Sequence, residues 1–326
     1  MPEYTIRPEN GRLPSEGNQS VLYRKFRELH CEESPLVRRA VAENLGILGR
    51  KVNTDLWVRE LVPLIKALAD DDIEKIRSLA LSSLVSVAEI LPEDINRDYT
   101  VPQLAQFSKD KAWKIKAAFA QILPQTARAL KEGLAESKLL PMSVPLLSDA
   151  EGEVRLSAIK YFPSLFRVLS RSVYPSILPV CVSLCRDSIA LVRVHALDLL
   201  STIIPGLSRE DIGDTVIHML TQLLRSDNYT DVRVETVRAL TVCAQYLGGD
   251  LFIHLSRQDI GLIIKDKQWR VRAEGYTLMA KSTLATHSQQ LFEIHYQTMF
   301  MDYLKDTVYM VRSISNNLLK VLLSSI

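Results

Sequence analysis

Apolar positions along this chain fall into three columns that repeat with a nearly fixed period. Basic residues mark the period: Arg38, Arg77, Lys116, Arg155, Arg193, Arg233, Arg272 and Arg312, spaced 38 to 40 residues apart. Immediately before each marker stands a β-branched residue: Val37, Ile76, Ile115, Val154, Val192, Val232, Val271 or Val311. Seven residues after it come Leu45, Leu84, Leu123, Phe162, Leu200, Leu240, Met279 and Leu319. Three after it the residue is mostly small (Ala80, Ala158, Ala196, Thr236, Gly275, Ser315), with Val41 and Phe119 larger. Spacings of four put the three columns on one helical stripe, large, small, large, which predicts a helix that a neighbour can approach closely.

An acid stands six residues before every marker: Glu32, Asp71, Asp110, Asp149, Asp187, Asp227, Asp266 and Asp306. A second apolar helix is predicted ahead of each acid, as in "LVPLIKALA" from Leu61 to Ala69. Eight residues before the acid, copies two to five carry Pro63, Pro102, Pro141 and Pro179, so these helices should kink at a shared phase. Each unit is then a kinked outer helix, a turn bearing the acid, and an inner helix that starts near the base. Two helices in about 40 residues is the HEAT pattern, since tetratricopeptide and ankyrin units are shorter. The predicted fold is an all-α HEAT-repeat α-solenoid of eight copies over residues 21–326, behind a polar segment 1–20 expected to be disordered.

The basic marker raises an electrostatic problem. In "KDKQWRVRAE" and "KDKAWKIKAA", cations fall in the first helical turn, where the helix dipole disfavours them by a few tenths of a kcal/mol, up to about 1. The recurring acid resolves it: each base should reach the turn aspartate of its own or the adjacent repeat, making a structural ladder of alternating charge.

Composition narrows the function classes. The net charge is +2, with 47% hydrophobic and 24% charged residues. That is ordinary for a soluble chain, and the near-zero charge argues against bulk binding to nucleic acid or membrane. No apolar run has the 18 or so residues of a membrane span, and the polar start reads as neither signal nor transit peptide. Cys31, Cys181, Cys185 and Cys243 suggest reduced thiols, as in the cytosol or nucleus. Cys181 and Cys185 share a helical face with no third ligand beside them, the pattern of small buried residues. The six histidines are scattered, no metal, phosphate-loop or nucleophile motif occurs, and neither an enzyme nor a cofactor is expected.

Function should therefore sit where the copies differ. The column three before the marker reads Pro35, Glu74, Trp113, Gly152, Ala190, Thr230, Trp269, Tyr309. A position accepting Gly, Glu and Thr is not core, so its aromatics are expected to stand out toward solvent or a partner. The alternative is that Trp269 and Tyr309 pack on each other. The next column, with Lys114, Arg270 and Met310, varies equally.

"FSKDKAWKIKAAFA", "LIIKDKQWRVRAEGYTLMA" and "MFMDYLKDTVYMVRSISNNLLKVL" resemble consecutive repeats of the scaffolding A subunit family of protein phosphatase 2A. "CEESPLVRRAVAENLG" looks like another repeat from the middle of that family's array. The similarity runs in order from about Val21 to Leu323. It implies a non-catalytic scaffold in a hetero-oligomer with a phosphatase catalytic subunit plus a regulatory B-type subunit. Position by position, Pro35, Arg38, Arg39, Trp113 and Lys114 would face the regulatory subunit. Trp269, Arg270, Val308, Tyr309 and Met310 would face the catalytic subunit. Lys114 and Lys116 replace arginines usual in the motif, which weakens bidentate contacts there. Family members carry more repeats than the eight here, so a shortened paralogue or a fragment is expected. Rival readings are a general HEAT adaptor of tubulin- or transport-receptor-binding type and, more distantly, a nucleic-acid-processing enzyme.

Overall fold

The structure, a computed structural model, describes residues 16–247, 257–286 and 297–325. All regular structure among them is helical, and no helix among them is long and apolar enough to cross a membrane. The chain divides into two compact units, Met1–Ala158 and Ile159–Ile326. Of the segment 1–20, residues 1–15 lie outside the described part, while the last five belong to a helix that begins at Glu16.

Unit one holds α1 (Glu16–Leu29), α2 (Pro35–Gly49), α3 (Val62–Ala69), α4 (Glu74–Ala88), α5 (Val101–Ser108), α6 (Trp113–Leu134) and α7 (Leu140–Ser143). The boundary falls inside α8 (Gly152–Phe166). Unit two continues with α9 (Tyr174–Leu184), α10 (Ala190–Ile203), α11 (His218–Ser226), α12 (Thr230–Leu247), α13 (Arg257–Ile264), α14 (Trp269–Thr286), α15 (Gln297–Leu304) and α16 (Tyr309–Ser325). Odd-numbered helices are the first of each copy and even-numbered helices the second.

Second helices stack on one another, α2 on α4 and α4 on α6 in unit one, and α10 through α16 in sequence in unit two. First helices pack on their own second helices. The stripe read from the sequence is the surface that makes this possible. The β-branched column is buried from Ile76 to Val311, and the small column is buried throughout. Val37, expected to be core, is only half-buried, because α2 has a second-helix neighbour on one side alone. Gly275 shows why the middle column must be small: a Cβ there would lie 2.1 Å from Ile263 Cγ2 and 2.7 Å from the Tyr303 hydroxyl.

At three of the four expected kink positions the helix departs from α geometry, each time in the same form. Directly ahead of Pro63, Pro102 and Pro141, single π-helical turns close with Val62 N–H donating to Trp57 O, Val101 N–H to Asn96 O and Leu140 N–H to Ala135 O. Proline has no N–H, and its ring collides with the carbonyl four residues back, so a wider turn removes the clash. Pro179 instead lies inside α9. Proline is not the whole cause, since Asp211–Ile217 forms a π-helical stretch without one.

Candidate protein-docking edge at the repeat turns

The turns are built by one repeated set of hydrogen bonds. Each aspartate accepts, through Oδ1, the backbone N–H two residues on: Ile73 at 2.9 Å for Asp71, Ala112 at 2.8 Å for Asp110, Gln268 at 2.8 Å for Asp266, Val308 at 2.8 Å for Asp306. This Asx-type turn places a negative charge at the start of the following helix, where the dipole favours it.

The basic marker then performs two tasks. Its Nη1 donates to carbonyls of its own turn, as Arg77 does to Asp71 O at 2.7 Å and Arg272 to Asp266 O at 2.8 Å. Its Nε and Nη2 grip the aspartate of the following repeat. In unit one, Arg38 holds Asp71 at 2.7 and 3.3 Å and Arg77 holds Asp110 at 2.8 and 2.9 Å. Lys116 completes that set by pairing with Asp149. In unit two, Arg193 holds Asp227 at 2.7 and 3.1 Å, Arg233 holds Asp266 at 2.7 and 3.1 Å, and Arg272 holds Asp306 at 2.6 and 2.9 Å. Arg155 donates to the carbonyls of Asp149 and Ala150. The ladder expected from the sequence is therefore real, and its carboxylate partner is the next repeat's, not the base's own.

Electrostatics follow from this geometry. Burial pushes the Asp71 and Asp149 carboxyls up. The hydrogen bonds from Arg38 and Lys116, and from the Ile73 and Glu151 N–H groups, outweigh burial and hold both below the usual range. The Arg272 hydrogen bond does the same for Asp306 against its burial. A second, outer set of pairs balances the exposed first-turn cations: Lys114 meets Glu74 at 3.2 Å, and Arg270 meets Asp231 at 2.7 Å, each on the preceding second helix.

The residues singled out as variable are the first residues of the second helices: Pro35, Trp113, Trp269 and Tyr309 open α2, α6, α14 and α16. The buried β-branched column lies two residues later, about 200° around the helix at 3.6 residues per turn, so these side chains face away from the core. Trp113 is 40% exposed, Trp269 37% and Tyr309 69%. All three are among the exposed large side chains, Trp269 the least so. Tyr309 is more exposed, with the Arg312 guanidinium 5.9 Å from its ring centre. No ring pair joins the two, so the mutual-packing alternative does not hold. Arg39, Lys114, Arg270 and Met310 are exposed, and Val308 packs partly against the core around Tyr276 and Tyr303. Arg38 differs from the rest of its group: all three of its nitrogens are engaged in the ladder.

Sequence reasoning missed Leu36, Leu191 and Tyr229, three further exposed apolar side chains at the turns. Leu36 and Leu191 belong to the same variable column as Met310, which could have flagged them. Tyr229 lies with Arg193 5.3 Å from its ring centre. Among the described residues no cluster of His, Cys, Asp and Glu could hold a metal ion.

Known folds match this arrangement of stacked helix pairs. Importin β aligns with a TM-score of 0.61 at 15% identity, over 95% of this chain and 42% of its own. Kap95p, in a structure with RanGDP, aligns with a TM-score of 0.60 at 14% identity, over 95% and 42%. This chain is a HEAT-repeat α-solenoid. In sequence it resembles the regulatory A subunit of protein phosphatase PP2A from Schizosaccharomyces pombe, 29% identical over 118 residues, which is 36% of this chain and 20% of that protein. No family model matches the chain. The solenoid thus spans less than half of the importin β and Kap95p chains, and its matched part is a fifth of the phosphatase subunit.

Proposed function

We propose that the chain is a non-catalytic scaffold for a protein phosphatase 2A-type serine/threonine phosphatase. Its later turns hold the catalytic subunit through Trp269, Arg270, Val308, Tyr309 and Met310. Its earlier turns hold a regulatory B-type subunit through Pro35, Arg39, Trp113 and Lys114, with Arg38 fixing the turn that presents them. The carrying observation is Tyr309, a large aromatic at the head of α16 that is 69% exposed. An aromatic so placed contributes little to packing, and aromatics of this kind anchor protein interfaces. Partial likeness to the phosphatase regulatory subunit directs the choice of partner.

The test is a binding titration of the full chain with purified phosphatase catalytic subunit. Tyr309→Ala should weaken binding by about 2 kcal/mol or more, the range of a central aromatic anchor, with its thermal midpoint nearly unchanged. Unaltered affinity in a well-folded Tyr309→Ala would sink the assignment of that turn. Likeness to importin β and Kap95p favours a second reading, a transport-receptor-type adaptor. Running Ran through the same titration separates the two.

A further inference from the structure

Two turns of this chain have the same sequence, Lys-Asp-Lys, and the structure gives them opposite surroundings. In the third copy Lys109 and Lys111 flank Asp110. The turn of the second copy, to which Arg77 binds this one, carries the exposed acids Asp70 and Asp72, and Lys114 is already paired with Glu74. Among the described residues Lys109 and Lys111 form no ion pair themselves, but the adjoining turn adds two negative charges through Asp70 and Asp72. In the seventh copy Lys265 and Lys267 flank Asp266, and both lysines are exposed. The turn of the sixth copy has Ser226 and Asn228 where the second has Asp70 and Asp72. Its one acid, Asp227, is held by Arg193, and Asp266 is held by Arg233. Among the described residues neither Lys265 nor Lys267 forms an ion pair, and the same is true of Lys305 in the eighth turn.

The sixth and seventh turns enclose a groove of about 790 Å³ whose lining includes Arg225, Asn228, Leu262, Lys265, Lys267 and Gln268. Arg225 is half exposed, although its Nε and Nη2 lie 2.9 and 2.5 Å from Oδ1 of Asp259. Leu262 is an exposed apolar side chain in the wall, and the exposed Trp269 is the next residue in sequence after the lining residue Gln268. The lining also carries Asp227 and Asp266, each paired with an arginine, so the charge left without an ion pair is that of Lys265 and Lys267, beside the apolar Leu262.

We infer that this groove binds a carboxylate-rich segment of a protein partner, its acids meeting Lys265 and Lys267 and its apolar side chains lying along Leu262 and Trp269. The inference rests on reading the turn edge as a protein-docking surface, and it adds the partner's chemistry. Charge complementarity of this kind steers encounter and selects the partner by sign, and its contribution falls with ionic strength as the screening length shortens. The ladder aspartates do not compete with the incoming acids for the lysines, because each is already bound by an arginine.

The experiment uses the full chain and a fluorescein-labelled peptide of repeating Glu-Glu-Leu, read by fluorescence anisotropy, beside the same peptide with Lys for Glu. The acidic peptide should bind saturably at about 50 mM salt and about tenfold more weakly at about 300 mM. Lys265→Glu/Lys267→Glu should weaken it about tenfold or more, and Lys109→Glu/Lys111→Glu by less than about twofold, because only the first pair lines the groove. Thermal midpoints of both variants confirm folding, and all four lysines are exposed. Absence of saturable binding, equal affinity for both peptides, or equal loss in the two variants would each overturn the inference. If the peptide behaves as stated and the phosphatase catalytic subunit does not bind, the acidic-groove inference stands and the phosphatase reading falls. If the catalytic subunit binds and the peptide does not respond, the phosphatase reading stands and the acidic-groove inference falls.

Discussion

Arg77 offers the sharpest test of the ladder. Arg77→Met keeps most of the side-chain volume and removes both bonds to Asp110 together with those to the carbonyls of Asp71 and Asp72. The two side chains are 4% and 10% exposed. An exposed ion pair contributes about 0–1 kcal/mol, whereas truncating one partner of a buried pair costs about 3–5 kcal/mol. This rung lies near the buried limit, but Asp110 keeps the Ala112 N–H at 2.8 Å and its carboxylate is not orphaned. The expected loss is therefore about 3 kcal/mol, at the lower edge of the buried range. Asp110→Asn retains an oxygen for Ala112 and leaves Arg77 its turn carbonyls, so it should cost about 1–2 kcal/mol. The double variant should fall short of the sum by about 1–2 kcal/mol, the coupling typical of residues in one hydrogen-bonded network. Urea denaturation followed by far-UV circular dichroism, with unchanged slopes, supplies the four free energies. Additivity within about 0.5 kcal/mol, or a loss below about 1 kcal/mol for Arg77→Met, would show that the rung is no more than a surface pair.

Three further outcomes follow from the same geometry. Lys116→Arg should stabilise the chain by about 0.5–1 kcal/mol, because a guanidinium can grip Asp149 with two bonds and still reach the turn carbonyls as Arg77 does; a lowered urea midpoint would contradict this. Gly275→Ala should destabilise by about 1–3 kcal/mol, the range for overpacking, since the new Cβ meets Ile263 and Tyr303, and a neutral melt would mean that α14 is not in close contact with α13 and α15. Asp71, Asp149 and Asp306 titrate below the ordinary carboxylate value in the folded chain, so their contribution is complete above about pH 4 and is lost as pH falls through the depressed folded values. Urea midpoints should hold from neutral pH to about 5 and drop below about 4, and a midpoint that rises on acidification would refute the sign.

The sequence by itself determined the period, the all-helical unit and the stripe. These rest on local geometry: residues four apart share a helical face wherever the helix sits, and eight tandem copies make each column readable. It also determined that acid and base must meet, because the dipole penalises a first-turn cation in every copy. Only the tertiary structure decided which acid each base meets. The six-residue offset inside a copy brings the guanidinium to its own turn's carbonyls, while the carboxylate within reach belongs to the next repeat, a distance set by stacking. The fold also left Tyr309 more exposed than Trp269, although both occupy one column. It likewise set two identical Lys-Asp-Lys turns beside different neighbours, a turn bearing Asp70 and Asp72 in one case and a turn bearing Ser226 and Asn228 in the other. A column gives a residue's direction from its own helix. What that residue meets there depends on the neighbouring copy, whose turn residues no periodicity constrains.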